Sequence, residues 1–123
     1  MKIKITIGSL SMEAELNDSS TSQKIWNTLP LRTSFNTWGD EIYFTIPVDL
    51  PLDETAKEEV TIGNLGYWPT GKAFCIFFGP TPMSSPEKII PASAVNIFGN
   101  VIGDAKRFKD VIMEGEVLLE AIQ

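Results

Sequence analysis

Six consecutive apolar residues, Ala73 to Phe78, stand between two clusters of turn formers, Pro69-Thr70-Gly71 on one side and Gly79-Pro80-Thr81-Pro82 on the other. A run this short and this apolar, rich in aromatics, predicts a strand covered on both faces, because a strand with one face in water would alternate with polar residues. That requirement demands a sheet with core on one side and a second packed layer on the other. The run is preceded by Tyr67 and Trp68, aromatic rings with polar tips, so the chain reverses beside a surface suited to holding a ligand.

The remaining chain supplies the other strands. Ile3, Ile5 and Ile7 alternate with Lys2, Lys4 and Thr6, and after Gly8-Ser9 the alternation resumes in Leu10, Met12, Ala14 and Leu16, the pattern of a hairpin with one buried face. The period then changes. Ser20 and Gln23 have capping-box spacing, and Ile25, Trp26 and Leu29 share a helical face, which predicts a short helix over 21–29 ended by Pro30. Residues 31–36 and 41–48 read as strands joined through Trp38-Gly39, a bend whose indole is expected to pack against the helix of Trp26. The acidic, proline-containing segment 49–59 reads as a solvated loop, and 80–91 as a second loop in which Thr81-Pro82 make a rigid turn. Residues 95–102 predict a buried strand, Gly103-Asp104 a second short helix with Phe108, Val111 and Ile112 on its apolar face, and 116–122 a closing strand. The expectation is one domain over residues 1–123, mainly β, a closed barrel of about eight mostly antiparallel strands with two short helices, since closure removes the exposed edges of so many short strands.

Composition removes function classes. The chain has no histidine and one cysteine, so a zinc site, a Ser-His-Asp triad and a Cys-His pair are unavailable and neither metal nor cofactor is expected. Sixteen acids against ten scattered bases give a net charge of −6, which repels phosphate backbones and argues against nucleic acid as a partner. No apolar run approaches the roughly 18 residues of a membrane span, and MKIKITIG alternates like a strand instead of opening a signal peptide, so a cytoplasmic protein without a membrane partner is expected. Cys75 lies inside the apolar run and reads as a small hydrophobe, not a nucleophile.

Three strings, NTWGDEIYF (Asn36 to Phe44), YWPTGKAFCIFFGPTPMS (Tyr67 to Ser84) and PASAVNIFGNV (Pro91 to Val101), resemble a small uncharacterised prokaryotic cyclophilin-like family over nearly the whole chain. The resemblance implies a cyclophilin-type barrel whose specific function is unknown. True cyclophilins isomerise prolyl peptide bonds with an arginine, a Pro-Gly-Phe-Met-x-Gln stretch, a Gln-Phe-Phe strand, and a tryptophan and histidine before Phe-Gly-Lys-Val. Phe98-Gly99-Asn100-Val101 matches the last of these, a scaffold motif. Aligned on Gly39, however, Glu41 takes the methionine position, Tyr43 the glutamine and Phe35 the arginine, with Arg32 three residues away. Aligned on Gly71, Ala73 takes the glutamine and Cys75 the second phenylalanine. No tryptophan lies in 83–94. Carried over position by position, the resemblance implies a groove into which Glu41 and Tyr43 look, with Tyr67 and Trp68 at its rim and Cys75 and Phe77 on its floor. Such a pocket suits a small molecule bearing an amine or several hydroxyls, or a peptide, bound without catalysis. Two alternatives stand beside it: a peptidyl-prolyl isomerase with a degenerate site, and a plain barrel in which Glu41 is solvated and the aromatics are core.

Overall fold

The computed structural model describes residues 1–123 and contains ten strands, all paired antiparallel. β1 (Lys2–Ile7) and β2 (Leu10–Leu16) form the predicted hairpin, with Ile7 opposite Leu10 and Gly8 at φ 57° in the two-residue turn that joins them. Ile3, Ile5, Ile7 and Ala14 are fully buried, as the alternation requires. The helix α1 (Ser20–Trp26) is shorter than 21–29 and is capped by Ser19, whose side chain accepts from the Ser22 backbone N–H, so the cap lies one residue before the expected one. Ser22 Oγ in turn donates to the Phe98 carbonyl at 2.7 Å and ties α1 to the sheet.

The expected strand 31–36 is divided at Phe35 into β3 (Leu31–Ser34) and β4 (Asn36–Thr37), and β5 (Glu41–Thr45) follows the Trp38-Gly39 turn. β6 (Ala56–Lys57) is a two-residue strand inside the acidic segment, paired with β9, so that segment is not wholly a solvated loop. Its path is held by Asp53, which accepts from Thr21 Oγ1 at 2.7 Å and from the Thr55 backbone N–H at 2.7 Å, while its own N–H donates to Asn96 Oδ1 at 2.8 Å. β7 (Asn64–Trp68), β8 (Ala73–Phe77), β9 (Val95–Val101) and β10 (Glu116–Ile122) complete the sheet. The second helix, Ala105–Val111, is of 3₁₀ type and is capped by Asp104, whose side chain accepts from the Lys106 N–H.

The strand order is β3-β10-β1-β2-β9-β7-β8-β5-β4, with β6 added beside β9. The expectation of a closed barrel of about eight strands is therefore corrected on both counts: there are ten, and the hydrogen-bonded ladder is open. Its two ends, β3 and β4, are consecutive in the chain and separated only by Phe35, which is buried. One extended segment pairs with β10 through its first half and with β5 through its second, so the backbone, not a ladder, bridges the seam.

The core inside this curled sheet is a cluster of 24 buried residues drawn from nearly every element. Phe74 stacks on Phe44 at 4.9 Å and meets Phe98 edge-on at 5.0 Å, the two arrangements that aromatic quadrupoles favour. No helix is long and apolar enough to cross a membrane.

Candidate functional site

Period two divides β8 between two compartments. Phe74 and Ile76 point into the main core, while Ala73, Cys75 and Phe77 point out the other side and join Val60 and Val95 in a separate cluster of five buried residues. The strand is thus covered on both faces, as its composition demands. In the ladders, Glu41 is opposite Phe77 and Tyr43 opposite Cys75, while on the other flank Gly66 is opposite Cys75 and Trp68 opposite Ala73. Cross-strand partners share a face, so Glu41, Tyr43 and Trp68 stand on the outer side of the sheet above the small cluster. Gly66 is a fitted absence: a Cβ there would lie 2.8 Å from Val95 Cγ2 and 3.2 Å from Phe77 Cε2.

The segment from 80 to 95 crosses above this outer face. The Thr81 hydroxyl donates to the Ile90 carbonyl, the Thr81 N–H donates to Ser84 Oγ at 2.9 Å, and the Ile90 N–H donates to the same oxygen at 3.0 Å, which makes Thr81 the rigid corner expected of it. Val60 and Ile89 bridge the segment to the sheet, and Trp68 Nε1 donates to Ser93 Oγ at 2.7 Å. These ties leave a cavity of about 240 Å³ between the outer face and the crossing segment. Its wall is Trp38, Glu41, Tyr43 and Trp68 on one side and Pro91, Ala92 and Val95 on the other.

Glu41 is the chemically unusual group. It is 6% exposed, and none of the six ion pairs of the molecule includes it. Burial penalises its charged form and pushes its pKa from 4.5 up to about 7, an effect that the neighbouring Cys75 thiol offsets in part. The Cys75 thiol is fully enclosed, with the Ala73 carbonyl 3.9 Å from Sγ, and burial followed by the charge of Glu41 holds its pKa well above the ordinary value. A thiol kept protonated in this way is inert.

Three of the six residues expected at the groove, Glu41, Tyr43 and Trp68, line the cavity. Cys75 and Phe77 lie behind its wall, in the cluster against which Tyr43 and Trp68 pack. Tyr67 does not belong with them and is corrected from rim to core. Adjacent residues of a strand face opposite ways, so with Trp68 outside, Tyr67 is inside, fully buried, its hydroxyl donating to the Val48 carbonyl and accepting from the Leu50 N–H at 3.3 Å. Trp38, expected against α1, instead forms a wall of the cavity, because Gly39 at φ 61° turns the chain so closely that a Cβ there would sit 2.8 Å from the Pro80 carbonyl oxygen. Arg32 is exposed, paired with Glu116 at 2.9 Å, and lines a different groove with Glu114 and Glu116. Of the plain-barrel reading, the solvated Glu41 is contradicted by that residue's burial, while Tyr67 and Phe77 are core as that reading expects.

A family model described as cyclophilin-like matches residues 1–120. The solution structure of the hypothetical protein AF2241 from Archaeoglobus fulgidus is 38% identical and superposes with a TM-score of 0.81, covering 99% of this chain and 95% of that one. The structure of McbB in complex with tryptophan superposes with a TM-score of 0.71 at 14% identity, a likeness of fold in which this chain spans 46% of the other. No curated protein matches the sequence.

Proposed function

The chain belongs to the cyclophilin-like family, and on that premise we propose that it is a binding domain that takes a small molecule in the cavity on the outer face of its sheet and does not isomerise prolyl bonds. One observation carries this reading: a buried carboxylate with no basic partner faces a space walled by Trp38, Tyr43 and Trp68. A protein that buried Glu41 merely for packing would gain by replacing it with an apolar residue, since a desolvated acid costs several kcal/mol unless something compensates it. A ligand is such a compensation.

A cavity of about 240 Å³ has room for a small metabolite. Chemistry argues against isomerisation. Twisting the X-Pro bond faces a barrier of roughly 18–20 kcal/mol, which the arginine of true cyclophilins lowers by donating to the prolyl nitrogen, and the wall holds no guanidinium in its place, Arg32 being exposed and paired with Glu116. McbB, which shares the fold, is found with tryptophan, a molecule combining an aromatic body with an amine, and this is compatible with the reading.

The test pairs two measurements. A protease-coupled assay on a proline peptide should show no acceleration, and a small-molecule screen read by NMR should yield compounds that move the indole N–H signals of Trp38 and Trp68 while leaving Trp26, on α1, in place. Isomerisation comparable to an ordinary cyclophilin, or a screen whose hits never touch Trp38 and Trp68, overturns the reading.

A further inference from the structure

No element packed around Glu41 puts a cationic side chain on the cavity wall. Its own strand presents Tyr43, β8 presents Cys75 and β7 presents Trp68, none of them cationic. β9 contributes Val95, and the crossing segment Pro91 and Ala92. Lys57, opposite Val95 in the ladder, is exposed and is not part of the wall. Asp40, the preceding residue, is engaged by Lys109 Nζ at 3.7 Å. Beyond Pro91 and Ala92 an adjoining groove adds Glu58, a second acid. The wall itself therefore holds one acid, aromatic rings and no base, the nearby Lys109 and Lys88 being paired with Asp40 and Glu59, in a chain whose net charge is −6.

We propose that the cavity takes a small organic monocation, a primary ammonium carried on a flat apolar body, seated against the carboxylate of Glu41 and between the rings of Trp38 and Trp68. This rests on the reading of the cavity as a binding site and gives it a ligand class. An anion would meet Glu41 with no cation to offset it. A neutral ligand would leave the carboxylate uncompensated or require it to stay protonated. An ammonium group compensates it by a charge-assisted hydrogen bond, and aromatic walls attract a cation through their quadrupoles. The flat body matches a wall whose other members, Pro91, Ala92 and Val95, offer no further hydrogen-bonding side chain. With a pKa of about 7, Glu41 is about half protonated in the empty cavity at neutral pH and more so below it, so binding a cation expels protons there and affinity is tied to pH.

Three molecules of nearly equal shape separate the possibilities: benzylammonium, benzyl alcohol and benzoate, titrated into the protein with the indole N–H signals of Trp38 and Trp68 as the readout and Trp26 as control. At pH 8 benzylammonium should bind at least about tenfold more tightly than benzyl alcohol, and benzoate should not bind. With a carboxyl of pKa about 7, the ionised fraction rises nearly a hundredfold between about pH 5 and pH 8, and benzylammonium affinity should follow it while benzyl alcohol affinity stays level. Glu41→Gln should abolish both the preference and the pH dependence and keep the alcohol site. The wild-type pH series stands on its own should that variant fail to fold. Equal binding of alcohol and ammonium, or preferred binding of benzoate, overturns the cation and leaves the binding site intact. If none of the three moves Trp38 or Trp68 at any pH, both the cation and the binding site fall.

Discussion

At the scale of single residues, Glu41 sets an unusual relation between pH and stability. Its pKa is raised on folding, so between 4.5 and about 7 the native protein holds a proton that the unfolded chain has released. The native state binds more protons in that window, and stability therefore falls as pH rises through it and is level above it. A rise of about 2.5 units corresponds to a penalty on the order of 3 kcal/mol in the alkaline plateau. Glu41→Gln keeps the shape and removes the charge. It should melt several degrees above the parent at pH 8 and nearly level with it at pH 5, and thermal denaturation at both values checks this; equal melting at pH 8 would mean that the carboxylate is solvated after all. The site was partly legible in the sequence at this scale. The tyrosine between Glu41 and Thr45 on a face opposite Ile42 and Phe44, together with the family resemblance, located Glu41 and Tyr43. Tyr67 and Trp68 look like a pair in the sequence, but neighbouring strand residues point apart and only one of them can reach the cavity. Trp38 carried no periodic signal, because its direction is set by the positive φ of Gly39.

At the scale of elements, β8 divides the molecule into an inner core and an outer shelf, and Gly66 on β7 lets the shelf pack. Gly66→Ala would place a methyl group 2.8 Å from Val95 Cγ2, at a point where the register between β7 and β9 already shifts. Overfilling of this kind costs roughly 1–3 kcal/mol, and because Val95 lines the cavity the displacement should also move the Trp68 indole N–H signal. Denaturant midpoint and NMR spectrum together check it: an unchanged midpoint would show that Val95 gives way freely. The long strands were legible because period two and apolar runs are strong signals over five residues or more. β4 and β6, of two residues each, have too few positions to display a period, and β6 sits in a segment whose acidity reads as loop. The first helix is legible in the sequence, but its bounds are not: it ends at Trp26 instead of running to Leu29, and its cap is Ser19, which differs from Ser20 only in which hydroxyl meets a backbone N–H.

At the scale of the whole molecule, the open ladder with consecutive ends is the feature that no local pattern revealed, because strand lengths and faces do not state whether the last pair forms. Lys2 and Ile122 are register partners, so a short linker can join the present ends and new ones can be cut elsewhere. A permutant opened between Gly8 and Ser9 severs only a hairpin turn and should remain folded and keep the size of the parent. One opened at Phe35 frees β3 and β4 from each other, leaves two unpaired edges unrestrained and should form larger species than the parent, which size-exclusion chromatography reads directly; a Phe35 permutant with the parent's size and melting temperature would show that the seam is held by something other than the backbone. A hoop fastened by a covalent link behaves differently from one fastened by hydrogen bonds. It cannot change girth by slipping register at the join, and because Tyr43 is the register partner of Asn36, lengthening the chain by one residue at Phe35 would slacken the cavity wall that begins beside the seam.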